Sequence, residues 1–92
     1  MKVMVVCFAP FRDWIDKAND EFELEDRCTV LHLVDQLFVS EESRKRLFNE
    51  AGELDGYVSI LKNGRSVKTL KGLGTELEDG DEVAILPWIA GG

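Results

Sequence analysis

The sequence predicts an α+β domain in which a mixed sheet of four to five strands carries one main helix packed on one face. Three observations lead there. The chain opens on a continuous run of apolar, largely β-branched and aromatic residues from Lys2 to Ala9. An amphipathic stretch, Thr29 to Phe38, then places its apolar residues at helical spacing. Two short β-prone runs flank Asn63-Gly64, and a third covers Val83 to Leu86.

The opening run reads as a strand, and its unbroken apolar character predicts burial on both faces. Alternation puts Val3, Val5 and Cys7 on one face and Met4, Val6 and Phe8 on the other. Pro10 ends it. Residues 10–19 form a connection or short helical turn anchored by Phe11, Trp14 and Ile15. Glu21-Phe22-Glu23-Leu24-Glu25 alternates with period two, a half-exposed strand whose acids face water.

Thr29 is a suitable N-cap for a helix that lines up Val30, Leu33, Val34, Leu37 and Phe38 on one stripe. Ser40 caps a second, shorter helix, with Glu41 and Glu42 in its first turn and Leu47 and Phe48 docking it. Glu41–Lys45 and Glu42–Arg46 are paired at i,i+4, and Arg44-Lys45-Arg46 reads as a solvated face. Tyr57–Lys62 and Ser66–Thr69 form a hairpin around Asn63-Gly64. Gly72 to Leu77 is irregular, plugged by Leu73 and Leu77, and Asp79-Gly80-Asp81 is a tight turn. The last strand, Val83–Leu86, stops at Pro87. The order β–β–α–(α)–β–β–β becomes the β-grasp, or ubiquitin-like, arrangement if the first and last strands are parallel central neighbours. Residues 1–88 then form the domain and 89–92 a flexible tail.

Composition narrows the function. Ninety-two residues carry 18 acids against 11 bases, a formal net charge of -7. A chain of this size buries only about 60–65% of its unfolded surface, enough for one modest core and no deep catalytic cavity. An acidic balance argues against nucleic acid, which requires a basic face. Cys7, Cys28 and the single His32 cannot assemble a four-thiolate or Cys2His2 metal site, so no metal is expected. Reduced thiols, no cleavable leader pattern and no stretch near the ~20 apolar residues of a membrane span give a cytoplasmic expectation, with no membrane partner. Cys7 reads as core and His32 as solvent-facing.

The informative feature is the ending: a buried strand, Pro87-Trp88, then Ile89-Ala90-Gly91-Gly92. Four extended residues reach at most ~13–14 Å, enough to enter another protein's channel. Glycine lacks a Cβ, so its backbone passes a constriction that other residues would block. A carboxylate on Gly92 is a poor acyl donor until activated, and terminal glycines suit an adenylating enzyme that must lead that carboxylate to ATP.

Val6-Cys7-Phe8-Ala9-Pro10-Phe11-Arg12, Tyr57-Val58-Ser59-Ile60-Leu61-Lys62-Asn63-Gly64-Arg65, and the stretch from Gly74 to Pro87 with its Gly-Gly end resemble the MoaD/ThiS group of ubiquitin-like sulfur carriers. The closest likeness is to the small subunit of molybdopterin synthase, over nearly the whole chain and most specifically from Leu70 to Gly92. The resemblance implies a β-grasp fold whose Gly92 is adenylated by a ubiquitin-activating-type adenylyltransferase using ATP. The adenylate is converted by a sulfur donor to a thiocarboxylate, and Gly91, Ala90 and Ile89 thread with it into a catalytic partner. For the molybdopterin branch, that partner is the large synthase subunit, which passes sulfur to a pyranopterin in molybdenum or tungsten cofactor synthesis. The chain itself binds no cofactor and is not catalytic alone. The same activation also serves ubiquitin-like protein modifiers and carriers for tRNA thiolation or thiamin.

The resemblance also implies that positions matching Phe8 and Leu86 contact the activating enzyme and the large subunit. With Met4 and Val6 they form an apolar outer face that suggests a binding surface. A covering loop or the Trp14 segment is the alternative. Trp88 stands where the family's usual ending has a second proline; it either anchors a partner or packs beside Ala84. Arg12, Lys62 and Arg65 are read as solvated surface.

Overall fold

The computed structural model describes residues 1–8, 11 and 20–87. The chain runs β1 (Lys2–Cys7), β2 (Asp20–Glu23), α1 (Val30–Leu37), α2 (Glu41–Leu47), β3 (Val58–Lys62), β4 (Arg65–Ser66) and β5 (Glu82–Pro87). Single 3-10 turns at Val67–Thr69 and Gly72–Gly74 lie between β4 and β5. The sheet order is β2-β1-β5-β3-β4. β1 and β5 pair in parallel at its centre, from Met4↔Glu82 to Cys7↔Ile85. The other three pairings are antiparallel. This is the β-grasp arrangement, and both helices belong to the crossover that a parallel pair requires.

One face of the sheet meets the helical layer. Val3, Val5 and Cys7 of β1, Val58 and Ile60 of β3, and Val83 and Ile85 of β5 are buried against Val30, Leu33, Val34 and Leu37 of α1. Phe11, Phe38, Leu47, Val67 and Leu77 close the core, and Leu73 packs at its margin. The expected burial of β1 on both faces is not met. The described helices α1 and α2 cover one side, and on the other Met4 and Phe8 are exposed and Val6 half-exposed. Of the anchors expected in residues 10–19, Phe11 is fully buried; Trp14 and Ile15 lie outside the described residues.

Local chemistry sets the element ends. Thr29 caps α1 through the His32 amide, while the His32 ring Nδ1 accepts the Thr29 N–H at 2.9 Å. His32 thus closes a capping box where Glu or Gln usually stands. Ser40 Oγ accepts from Ser43 N at the start of α2. The hairpin turn places Asn63 at φ 50° and Gly64 at φ 83°, the left-handed pair that a two-residue turn demands.

Three expectations are corrected. The strand over Ser66–Thr69 shrinks to Arg65–Ser66, because the Ser66 side chain accepts Lys68 N and Thr69 Oγ1 donates to Ser66 O at 2.8 Å. Those local bonds draw the backbone into a 3-10 turn. Arg44 is not freely solvated: its guanidinium bonds Asp35 at 2.6 Å and lies 5.2 Å over the Phe48 ring. Lys62 likewise pairs with the buried Asp81 at 3.5 Å.

Asp81 organises the far end of the sheet. Its carboxylate accepts Asn63 Nδ2 at 2.9 Å and Glu78 N at 2.8 Å, while Asn63 Oδ1 accepts Glu82 N at 2.9 Å. Replacing Asp81 leaves two hydrogen-bond donors, Asn63 Nδ2 and Glu78 N, without this acceptor and removes the partner of the Lys62 ammonium. Asp81→Ala is therefore expected to lower unfolding free energy by about 1.5–3 kcal/mol, measured by urea denaturation. Asp79→Ala, which loses one exposed bond to Lys2 N, should cost visibly less.

Burial also pushes the Cys7 thiol from its ordinary 9.0 up to about 11. The unfolded thiol ionises first, so stability is intact below pH 9 and declines as pH climbs from about 9 to about 11. Denaturation across that range should show a decline that is weaker in Cys7→Val.

Candidate functional site

The parallel register of β1 and β5 decides what lies where the last strand ends. Cys7 pairs with Ile85, and Phe8 N donates to Ile85 O at 2.9 Å, so Phe8 stands beside Leu86. Both strands finish at the same end of the sheet, and residues 88–92 follow directly from Pro87. Antiparallel pairing sets Ser59 opposite Leu86 and Leu61 opposite Ala84. The solvent side of the central strands at this end is therefore Val6, Phe8, Ala84, Leu86, Leu61 and Ser59, with no ionisable group among them.

Exposure follows a gradient. Phe8 is 50% exposed and Met4 40%, whereas Val6, Leu86 and Leu61 are half-buried. The described residues that cover the core lie on the other side of the sheet, so Phe8 and its neighbours form a continuous apolar surface. Of the sequence-nominated surface residues, Met4, Val6, Phe8 and Leu86 thus share one face. Trp88 and the tail residues Ile89, Ala90, Gly91 and Gly92 lie outside the described residues.

Two residues that the sequence reading did not nominate join this region. Leu61 is placed by the β3 register alone, and a strand-to-strand register is invisible in an isolated β-run. Tyr57 immediately precedes Val58, which pairs with Pro87, so it stands where the tail departs. It is 41% exposed, its ring centroid 5.9 Å from that of buried Phe11. An aromatic residue at a strand start was the only sequence signal for it.

The remaining chemistry is elsewhere. An open groove of about 630 Å³ is lined by Glu23, Glu25, Asp26, Cys28, His32 and Asp35. No group of three or more His, Cys, Asp or Glu among the described residues could hold a metal ion. His32 is committed to the α1 cap. No described helix is long and apolar enough to cross a membrane.

Comparison with known proteins places this geometry. Residues 5–92 match the ThiS family. The chain is 34% identical over 92 residues to small archaeal modifier protein 3 of Haloferax volcanii, covering the whole of both. The structure is similar to one in the Amycolatopsis orientalis BexX/CysO complex, at 29% identity and TM-score 0.72, with 98% of this chain and 99% of that one covered. It is also similar to a Pyrococcus furiosus candidate molybdopterin converting factor, subunit 1. That match has 30% identity and TM-score 0.68, over 96% of this chain and 98% of that one.

The two faces of β1 should respond differently to truncation. Phe8→Ala is expected to leave the denaturation midpoint near that of the unaltered chain. Val5→Ala, one position from an exposed neighbour but fully buried, should cost about 2–3 kcal/mol.

Proposed function

We infer the function from one premise: the chain belongs to the ThiS family of ubiquitin-like sulfur carriers and modifiers. Within it, we propose a carrier whose Gly92 carboxylate is the reactive group. The observation that carries this reading is the parallel β1–β5 pair, which releases the chain from Pro87 beside an apolar, uncharged surface. A partner that grips Phe8 and Leu86 holds the tail root and can lead Ile89, Ala90, Gly91 and Gly92 into its own active site. The carrier then needs no cavity of its own.

The chemistry divides between carrier and partners. A Gly92 carboxylate oxygen attacks the α-phosphorus of ATP on a ubiquitin-activating-type enzyme, and pyrophosphate leaves. A sulfur donor then attacks the acyl carbon and displaces AMP. Hydrosulfide gives the thiocarboxylate directly. A persulfide donor gives an acyl disulfide whose S–S bond a thiol must cleave, the thiol ending in a disulfide with the donor and the acyl group keeping the sulfur. The molybdopterin synthase large subunit, or an equivalent acceptor enzyme, receives the tail and transfers the sulfur. Met4, Val6, Phe8, Leu86 and Trp88 are the proposed partner contacts. The likeness to a molybdopterin converting factor structure supports the cofactor branch. Similarity to a CysO-containing complex supports action through a dedicated enzyme partner.

Full-length similarity to a small archaeal modifier protein favours a second reading, in which the activated glycine is joined to lysines of other proteins. Intact-mass analysis of protein from its native host separates the two. Sulfur in place of one oxygen on Gly92 supports the carrier; branched Gly-Gly remnants on lysines of other proteins support the modifier. Deleting Gly92 should abolish adenylation by the host's activating enzyme while leaving the thermal transition unchanged, because a terminal residue beyond the last strand adds few buried contacts. Adenylation of the truncated chain would overturn the proposal.

A further inference from the structure

We propose that His32 is a proton-operated latch on the start of α1. Its neutral ring holds the helix start closed. The protonated ring leaves Thr29 for the acid-lined groove beside it and loosens the strap of residues 75–77 that the helix start carries. The latch stands apart from the chemistry of Gly92 and holds whichever way that terminus is used.

Hydrogen bonding fixes the state of the ring. Thr29 N donates to His32 Nδ1 at 2.9 Å, so Nδ1 presents a lone pair and the ring hydrogen is on Nε2. The Glu or Gln that usually fills this position accepts through oxygen. A histidine accepts only while it is neutral. A proton added to Nδ1 sets one donor against another. Thr29 Oγ1, 3.1 Å from the same nitrogen, can still take that hydrogen, but Thr29 N is left without its acceptor. The cation also meets the positive end of the α1 dipole.

The groove supplies the other resting place. His32 lines it together with Glu23, Glu25 and Asp26, all exposed, and with half-buried Cys28. Asp35 lines it too but is held by Arg44 at 2.6 Å. Arg27 is the one lysine or arginine among the lining residues. Glu76 pairs with Thr29 across the strap and brings a further acid to the cap. An imidazolium is thus repelled by the cap and attracted by the groove, whereas the neutral ring gains a hydrogen bond only at the cap.

The cap is joined to the core. Val30 N donates to Thr75 O and Leu77 N to Cys28 O, both at 2.9 Å, on either side of Thr29. Thr75 and Leu77 are buried. The bond to His32 holds Thr29 extended, at φ -102° and ψ 173°, which aims both groups at the strap. Its release relaxes the backbone between the two bonds, and both weaken together.

Imidazole nitrogen shifts and amide-exchange protection factors of the full chain test this between about pH 8 and about pH 5, the span in which histidine changes charge. At the upper pH, Nε2 should carry the only ring hydrogen. At the lower pH, nuclear Overhauser contacts of the ring should have passed from Thr29 to the loop of Glu25, Asp26 and Cys28. Protection of the Thr29 and Leu77 amides should fall about fivefold over the same span. His32→Gln keeps an acceptor for Thr29 N without a titrating group, and should hold both amides level. A hydrogen on Nδ1 at the upper pH overturns the latch, as does a ring that stays on Thr29 at the lower pH or an undiminished Leu77. An equal fall in His32→Gln also overturns it, by assigning the change to the carboxylates. The unaltered chain decides the matter alone if a melting curve shows that His32→Gln does not fold.

Discussion

The parallel contact between β1 and β5 is the constraint on which the rest of the molecule depends. Parallel neighbours cannot be joined by a tight turn. The chain between Cys7 and Glu82 therefore adds β2 beside β1, leaves the sheet to cross one face with both helices, and returns as β3 and β4 on the far side of β5. That single crossover buries Val5 and Ile85 and leaves Val6 and Leu86 looking outward. It also makes the first and last strands finish together, so Pro87 and the apolar surface around Phe8 share one end of a small domain. The sequence separation of the pair is nearly the whole chain, which places the cost of loop closure on the contact that defines the fold.

Much of this was legible in the residues. The Thr29 and Ser40 caps, the helical stripe from Val30 to Phe38 and the Asn63-Gly64 turn are local signals, and each governs the element it predicts. The two faces of β1 followed from alternation. What escaped were interactions that join distant segments. Asp81 looked like a turn residue, yet its carboxylate ties Asn63 and Lys62 to the start of β5. Arg44 looked like one of three solvated bases, yet Asp35 on the preceding helix claims it. Tyr57 and Leu61 became part of the candidate surface only through pairing with β5. That the last described residues of β5, Leu86 and Pro87, lie beside Phe8 required the parallel register.

The distribution of ionisable groups acquires a function in this frame. Residues 1–56 hold 13 acids and 7 bases, whereas residues 57–92 hold 5 and 4. The surplus of acid is shared between β2 and the two helices and the loops that hold Glu25, Asp26, Glu50, Glu53 and Asp55. It favours solubility, while the surface formed by Val6, Phe8, Leu61 and Leu86 holds no charge that would have to be stripped of water on burial.

The borders of the sheet carry one last consequence. β2 is four residues long and three of them are acids; β4 is two residues long and ends in a 3-10 turn. Neither offers an extended, neutral backbone on which a neighbouring chain could add a strand. The apolar face around Phe8 is thereby kept apart from the sheet edges through which chains grow into fibres.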